Sequence, residues 1–200
     1  MKLVVASNNA HKIEELRAIL GDLGFEVCSQ KDAGLHIEPD ENGTTFEENS
    51  YIKAKATLDA CGFATVADDS GLMVDALGGA PGVHSARYGG EAYKSDRARL
   101  ELLLRNMEEK ENRKAHFVSV ITLLLPDGRK IVARGECPGE ILRAPQGENG
   151  FGYDPVFYIP EAGCTFAQMP AEKKNEISHR ARALRLLAEK IRKGQWDVDE

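Results

Sequence analysis

The chain has 200 residues, of which 42% are hydrophobic and 29% are charged, a composition typical of a soluble globular protein. This length is enough to bury one sizeable core, so a second domain is not required. The net charge of −6 argues against a nucleic-acid partner, because a phosphate backbone is bound by a basic surface.

The ends of the sequence and its cysteines indicate a cytoplasmic protein. The first residues become polar too quickly for a signal peptide, and no apolar run approaches the roughly 20 residues of a membrane span. We therefore expect no membrane partner. Four cysteines without zinc-site spacing predict reduced, mostly buried thiols rather than a metal framework; they are Cys28, Cys61, Cys137 and Cys164.

The first 71 residues alternate between strand and helix patterns. An apolar run at 3–6 predicts a buried strand, and the polar residues after it predict the cap of a helix that ends at Gly21. Thr45 and Glu48 form a capping-box pattern for a helix through about Ala60. A second strand at 64–67 then runs into Asp-Asp-Ser-Gly.

The rest of the chain predicts a hairpin between helices and loops. Glycine-rich segments at 78–90 and 147–155 predict long loops, which more often serve function than connection. Ser95 is expected to cap a helix, the run 117–125 is a strand, and a turn at 126–128 leads to its partner at 131–133. The tail from Pro170 is expected to be helical. Together these patterns predict an α/β fold with a mixed sheet.

Three polar segments follow buried elements, and each admits two interpretations. Residues 7–12 lie at a helix N-terminus, where free N–H groups and Lys12 favour a phosphate, or they form a plain cap with a solvated lysine. There is no Walker A sequence, which excludes a P-loop protein. Asp68 and Asp69 form either a Mg²⁺ site or a turn. Upstream carboxylates that folding could bring near them are Glu41, Glu47 and Glu48.

The third segment contains two aromatic residues, Phe151 and Tyr153, within a glycine-rich loop. They could stack on a nucleobase, or they could anchor the loop in the core. A basic cluster follows near the start of the C-terminal helix, and by itself it would be a solvated surface. Its members are Lys173, Lys174, His179 and Arg180.

Taken together, these segments resemble the inosine triphosphate pyrophosphatase family, also called Ham1-like. The family motif [ST]-x-N-x-x-K is matched by Ser7, Asn9 and Lys12. The motifs Ala-Asp-Asp-Ser-Gly and Gly-Phe-Gly-Tyr-Asp-Pro are matched at 67–71 and 150–155. The motif K-x-x-x-S-H-R is matched by Lys174, Ser178, His179 and Arg180. Four motifs in the family's order and spacing span nearly the whole chain, which makes the resemblance specific.

The resemblance implies one domain over 1–200 with two lobes, a long mixed β-sheet flanked by helices and a central substrate cleft. It also implies a homodimer that hydrolyses nucleoside triphosphates, namely ITP, dITP and XTP, to the monophosphate and pyrophosphate with Mg²⁺. By matching position, Asp69 is the expected general base, and Glu41 and Asp69 are the expected metal residues. The expected substrate-binding residues are Ser7, Asn8, Asn9, Ala10, His11, Lys12, Lys53, Ser70, Phe151, Gly152, Tyr153, Asp154, Lys174, His179 and Arg180.

Two positions depart from the family pattern, and two alternative functions stay open. Ser7 replaces the commoner Thr and keeps its hydroxyl, whereas His11 stands where Gly is frequent, so the phosphate loop is expected to differ in shape. One alternative is a pyrophosphatase for modified pyrimidine nucleotides, as in the Maf-like relatives of this fold. The other is a nucleotide-binding module without turnover.

Overall fold

The computed structural model describes residues 1–198, apart from the side chain of His11, so the prediction for that side chain lies outside the described part. Helices and strands alternate through the first half of the chain, and a long hairpin follows in the second half. In chain order they are β1 (Lys2–Val5), α1 (Ala10–Gly21), β2 (Glu26–Ser29), α2 (Phe46–Cys61), β3 (Ala64–Val74), α3 (Asp96–Asn106), β4 (Lys114–Leu124), β5 (Arg129–Ile141), β6 (Phe157–Ile159), β7 (Cys164–Thr165), α4 (Ala171–Ile177), α5 (His179–Arg192) and β8 (Asp197–Val198).

The sheet is mixed, as predicted. Its strand order is β2-β1-β3-β4-β5-β6-β7, and β8 pairs with β5. Strand β1 is parallel to both β2 and β3, whereas β6 is antiparallel to β5 and to β7. The parallel pairs follow from the strand–helix–strand order of the first half of the chain, because parallel neighbours need a crossover connection.

The described chain divides into two compact units, each with its own core. The first comprises Met1–Asp69, Ser119–Gly135 and the chain from Arg180 onward, and the second comprises Ser70–Val118 and Glu136–His179. The single domain with two lobes and a cleft, expected from the family resemblance, stays a prediction.

In the first unit, neighbouring strand residues are buried on opposite faces of the sheet. Val66 packs with Leu16, Leu184 and other residues of α1 and α5, whereas Ala67 packs with Ala54 of α2. This alternation follows from the two-residue period of a strand. The second unit has a separate core in which Leu103 and Met107 pack with aromatic residues, among them Phe117, Phe157 and Phe166.

Several predicted boundaries are wrong, and each has a local cause. The strand expected at 64–67 continues to Val74, so Asp68 and Asp69 lie inside β3 rather than in a turn. The tail contains two helices, because Ser178 has an extended backbone between α4 and α5. Strands β2, β6, β7 and β8 were missed, since each has only two to four residues.

The caps of the helices were predicted more accurately. The side chain of Asn9 accepts a hydrogen bond from the Lys12 amide at the start of α1. The Thr45–Glu48 capping box is present, and α2 ends at a left-handed Gly62. All four cysteines are free, but only Cys137 is buried and the other three are half-buried, so the expectation of mostly buried thiols is wrong. Within residues 1–198, no helix is long and apolar enough to cross a membrane.

Candidate active site

The loop between β1 and α1 is held by its own side chains. The Ser7 hydroxyl accepts a hydrogen bond from the Asn9 amide over 3.1 Å, and Asn9 caps the helix. Lys12 then lies in the first turn of α1, with its ammonium 2.6 Å from Asp68 Oδ2. The predicted phosphate segment is therefore an ordered helix start, and its lysine is bound to a carboxylate.

Asp68 is the centre of a buried polar cluster in the first unit. Its side chain is fully inaccessible and receives hydrogen bonds from Ser119 Oγ at 2.6 Å and Arg180 Nε at 3.4 Å, besides Lys12. Burial by itself would raise the pKa of the Asp68 carboxyl, but Lys12 and Arg180 outweigh burial and hold this pKa well below its usual value. Asp68 is therefore ionised at neutral pH, which a buried carboxylate can be only when it is paired.

Arg180 is held by a second carboxylate. Its guanidinium donates to Glu15 Oε2 of α1 over 2.9 Å, and its side chain is only 4% exposed. Burial alone would lower the pKa of Arg180, but Asp68 and Glu15 raise it above the usual value. The two cations Lys12 and Arg180 are thus matched by the two anions Asp68 and Glu15, and the geometry of the cluster is set without a ligand.

Asp69 takes part in a different set of contacts. Lys53 of α2 donates to Asp69 Oδ1 at 2.8 Å and to Glu41 Oε2 at 3.1 Å, so one ammonium joins the two predicted metal carboxylates. Burial raises the pKa of the Asp69 carboxyl above its usual value, and Lys53 only partly offsets this effect. Adjacent aspartates in one strand therefore differ in their affinity for a proton.

The donor set around Asp69 fits a magnesium ion. Asp69 Oδ2 is buried and has no hydrogen-bond partner within the described residues, although a buried carboxylate oxygen normally has one. Mg²⁺ is usually bound through one or two carboxylates, with waters and substrate phosphates as its other ligands. The described residues contain no cluster of three or more His, Cys, Asp or Glu side chains suited to a metal, so Glu41 and Asp69 would be the protein's share of the ligands.

The other upstream carboxylates have different partners. Glu47 pairs with Arg134 at 2.8 Å, and Glu48 accepts hydrogen bonds at the start of α2. Of the three upstream carboxylates named from the sequence, Glu41 is the one joined to Asp69 through Lys53. Lys53 itself, predicted to hold phosphate, is bound here by two carboxylates.

In the second unit, Asp154 organises the glycine-rich loop. Its Oδ2 accepts hydrogen bonds from the Phe151 amide at 2.9 Å and from Lys174 Nζ at 2.6 Å. Gly150 has a φ of +78°, and a Cβ there would lie 2.1 Å from Asp154 Oδ2. Glycine is therefore required at 150, because a side chain would displace the carboxylate that folds the loop.

The two aromatic residues of this loop have different environments. Phe151 is 41% exposed, and Lys174 Nζ lies 4.9 Å from the centre of its ring. Tyr153 is 5% exposed, and its hydroxyl donates to the Ser85 carbonyl over 2.8 Å. Both interpretations of the sequence are thus represented: Tyr153 anchors the loop, and Phe151 presents an accessible ring. Contact of Tyr153 with the substrate stays a prediction.

His179 belongs to an aromatic cluster of the second unit. It is 6% exposed and stacks on Phe117, with ring centres 4.8 Å apart and planes inclined by 15°. Ser70, the residue after Asp69 in β3, is half-buried. The basic cluster predicted near the tail is therefore divided: Arg180 and His179 are buried, Lys174 is paired with Asp154, and Lys173 is exposed on α4.

Sequence reasoning missed the residues that support these groups. Glu15 lies on the polar face of an ordinary helix pattern and carried no signal. Ser119 did carry one, because a polar residue within the apolar run 117–125 must find a partner once it is buried. Asp96 accepts a hydrogen bond from the Gly152 amide at 2.9 Å, and its position after the helix cap Ser95 carried no signal of that contact.

Comparisons with known proteins agree with this fold. The chain is 50% identical over 196 residues to the dITP/XTP pyrophosphatase of Thermus thermophilus, with 97% of this chain and 93% of that protein covered. It is 49% identical over 200 residues to the dITP/XTP pyrophosphatase of Corynebacterium glutamicum, with coverages of 96% and 97%. The Staphylococcus aureus Ham1 protein superposes with a TM-score of 0.90 at 42% identity, covering 98% of this chain and 100% of that one.

The structure thus defines a mixed α/β protein with a buried carboxylate–cation cluster and a glycine-rich aromatic loop. A Ham1 protein from Coxiella burnetii has the same fold, with a TM-score of 0.89 at 39% identity and coverages of 96% and 99%. The Ham1 family model matches residues 3–190. The chain belongs to the Ham1 family.

Proposed function

We propose that this chain hydrolyses the deaminated purine nucleoside triphosphates ITP, dITP and XTP to the monophosphate and pyrophosphate. The observation that carries the proposal is about 50% identity, over nearly the whole chain, to relatives named dITP/XTP pyrophosphatase. The contacts of Asp69 supply the chemistry, because a poorly solvated carboxylate beside a lysine can accept a proton from water.

Asp69 is the proposed general base. Its raised pKa makes the carboxylate a stronger base than a solvated aspartate, and Lys53 keeps it ionised at neutral pH. The water oxygen bonds to the α-phosphorus while the bond from that phosphorus to the pyrophosphate oxygen breaks. The proton of the water goes to Asp69, and the products are the monophosphate and pyrophosphate.

The phosphates are the proposed ligands of the basic groups. The amides of residues 7–12 lie at the start of a helix, where an anion is favoured. The side chains of the set are Lys12, Lys53, Lys174 and Arg180. Because Asp68 and Glu15 fix Lys12 and Arg180 in advance, these cations would stabilise the developing charge with little reorganisation.

Magnesium is the proposed cofactor, held by Glu41 and Asp69. When bound, the ion neutralises phosphate charge and orients the pyrophosphate leaving group. The support for it is the chemistry of the donors: two carboxylates that meet at Lys53, one with a buried oxygen that has no hydrogen-bond partner in the described chain. Turnover is expected to require added Mg²⁺ and to stop when a chelator removes it.

The nucleoside is the proposed ligand of Ser70, of residues 151–154 and of His179. Phe151 has the accessible ring, and stacking on a base is worth about 1–3 kcal/mol in single-stranded nucleic-acid sites. Tyr153 contributes by anchoring the loop, since its hydroxyl is bound to Ser85. The nucleoside role of this loop therefore depends mainly on Phe151.

The test of the proposed function is the identity of the products. Incubation of the protein with ITP and Mg²⁺, followed by separate assays of pyrophosphate and orthophosphate, is expected to give pyrophosphate and IMP. Orthophosphate with IDP as the first products would place the attack at the terminal phosphorus and contradict the proposal. Absence of any turnover would favour a nucleotide-binding module.

Base selectivity is the second measurement. Hypoxanthine and xanthine carry an oxygen at position 6, where adenine has an amino group, so donors placed for that oxygen reject ATP by up to about 10⁴–10⁵-fold. GTP has the same oxygen and is expected to be the main residual substrate among the standard triphosphates. We expect kcat/KM to be highest for ITP and XTP. Equal values for ATP and ITP, or a preference for modified pyrimidines as in Maf-like relatives, would contradict this selectivity.

A further inference from the structure

We propose that Asp96, the first residue of α3, is a positioning residue for the loop that presents Phe151. The inference rests on the proposed nucleoside role of this loop. Asp96 lies outside the four sequence motifs, and it is not expected to touch the substrate. Its role follows from its contact with Gly152, the residue between the exposed Phe151 and the buried Tyr153.

The contact is a charge-assisted hydrogen bond to the backbone of the loop. The Gly152 amide donates to Asp96 Oδ2 over 2.9 Å. The other carboxylate oxygen, Oδ1, is 2.5 Å from Arg99 Nη2, and Arg99 Nη1 donates to the Tyr93 carbonyl at 3.1 Å. Both oxygens of Asp96 are therefore engaged, and Arg99 sets the direction in which the carboxylate faces Gly152.

The helix that carries Asp96 is itself firmly placed. Ser95 caps α3 by accepting a hydrogen bond from the Ala98 amide, and Leu100 and Leu103 bury the helix in the core of the second unit. The Arg99 side chain is 14% exposed, so its conformation is restricted by the surrounding residues. A carboxylate held in this way is a fixed acceptor for a loop amide.

The other anchors of the loop hold Phe151 and Tyr153, the residues on either side of Gly152. Asp154 holds the Phe151 amide from within the loop, and the Tyr153 hydroxyl reaches Ser85. Gly152 has a φ of +62° and no atom within 4 Å of where a Cβ would be. The space on the Cβ side of this residue is thus open, and the bond to Asp96 supplies a constraint that packing on that side does not.

The consequence is a selective effect on nucleoside binding. Without Asp96, the peptide between Phe151 and Tyr153 gains freedom, and ordering the Phe151 ring against a base costs more on binding. Because the Asp96 side chain is about half exposed, the effect is that of one hydrogen bond, a several-fold change rather than a loss of activity. The chemistry at Asp69 is in the first unit and is not altered by this change.

The experiment compares four variants of the full chain with ITP as substrate. Asp96→Ala is expected to raise KM about three- to tenfold with kcat within about twofold of the wild type. Asp96→Asn keeps an oxygen that can accept from Gly152, so it is expected to restore KM to within about twofold of the wild-type value. The matched control is Arg97→Ala, since Arg97 is the next residue on α3 and pairs with Glu101 in solvent. The fourth variant, Phe151→Ala, is expected to raise KM on its own.

The double variant Asp96→Ala/Phe151→Ala separates the two roles. If Asp96 acts through Phe151, the double variant has the KM of Phe151→Ala alone; independent, multiplicative effects would overturn the inference. A raised KM in Phe151→Ala with an unchanged KM in Asp96→Ala would also overturn it, while the proposed function would stand. An unchanged KM in Phe151→Ala would show that the nucleoside role of the loop is wrong, and the inference would fail with it.

Discussion

Two neighbouring aspartates of β3 show how position in a strand decides what a residue can do. Asp68 and Asp69 have the same side chain, but successive residues of a strand point to opposite faces. Asp68 meets Lys12, Arg180 and Ser119, and its pKa is held well below the usual value. Asp69 meets one lysine, and burial raises its pKa. One is suited to hold cations in place and the other to take up a proton, a division set by their surroundings.

The role of Asp69 predicts a large loss of turnover in Asp69→Asn. The amide keeps the shape of the side chain but accepts no proton, so kcat is expected to fall by at least about 10²-fold. Steady-state pyrophosphate release measures the change. Asp59→Asn is the matched control, because Asp59 is exposed on α2 and pairs with Lys55. A kcat near that of the wild type would remove Asp69 from the proposed mechanism.

The role of Asp68 predicts a loss of stability in Asp68→Asn. Removing one partner from a buried ion pair typically costs about 3–5 kcal/mol, because the remaining charges keep their desolvation penalty. The free energy of unfolding at pH 7, measured with urea, is expected to fall by about this amount. A difference of less than about 1 kcal/mol would mean that the cluster is not needed for the fold, in contrast to the cost that is usual for a broken buried pair.

The pH dependence of this difference has a definite sign. A carboxyl whose folded-state pKa is depressed contributes stability that is fully present above its unfolded pKa, about 3.9 for aspartate. That contribution is lost as the pH falls through the lower pKa of the folded state. The difference in the free energy of unfolding between the wild type and Asp68→Asn should therefore be constant near neutral pH. It should become smaller below about pH 4. A gap that widens on acidification would contradict the low pKa of Asp68.

At the level of elements, the start of α2 determines where Glu41 lies. Glu48 accepts hydrogen bonds from Thr44 and Thr45, and Asn49 Oδ1 accepts from the Gly43 amide at 2.9 Å. These contacts draw the preceding loop against the first turn of the helix. The loop places Glu41 Oε2 3.1 Å from Nζ of Lys53, a residue further along the same helix. The capping motif at the start of α2 therefore also helps to position Glu41, a proposed metal ligand.

This arrangement predicts a specific defect in Gly43→Ala. A Cβ at residue 43 would lie 2.7 Å from both Asn49 Oδ1 and Glu48 Cβ, so the loop must move away from the helix. We expect the Mg²⁺ concentration needed for half-maximal turnover to rise several-fold, because Glu41 is displaced. A titration of turnover against Mg²⁺ measures this.

The control for Gly43→Ala is a substitution of Gly21, the last residue of α1. Gly21→Ala places a Cβ at the end of α1, where no atom lies within 4 Å, so stability and Mg²⁺ dependence should remain close to those of the wild type. An unchanged Mg²⁺ requirement in Gly43→Ala would indicate that Glu41 does not bind the metal or that the loop adapts elsewhere.

At the level of the whole molecule, each compact unit has its own core and its own group of candidate site residues. The first unit contains the carboxylate–cation cluster, and the second contains the loop with Phe151. The homodimer implied by the family resemblance, the cytoplasmic location and the absence of nucleic-acid binding stay predictions. Sedimentation equilibrium is expected to give about twice the chain mass of 21.9 kDa; a single-chain mass would contradict the dimer.

The amino-acid sequence by itself determined the class of fold and the positions of the main helices, and its motifs named the candidate site residues. Helix caps at Asn9, Thr45 and Ser95 were predictable because a cap depends on local hydrogen bonds between near neighbours. The family resemblance was visible for a similar reason, since motifs such as 67–71 and 150–155 are contiguous. The short strands β2, β6, β7 and β8 escaped prediction, because two to four residues carry too little periodicity.

The tertiary structure alone decided which charges meet. Asp68 and Arg180 are 112 residues apart in sequence, and Lys12 and Asp68 are 56 residues apart. No local pattern specifies such pairs, because their distance depends on how β1, β3 and α5 pack. The same is true of Tyr153 and Phe151: they are two residues apart in one loop, yet Tyr153 is buried in the core of the second unit with its hydroxyl bound to Ser85, whereas Phe151 is accessible. Local hydrogen bonds and periodicity depend on residues that are close in sequence. Burial and ion pairing depend on contacts between segments that are distant in sequence.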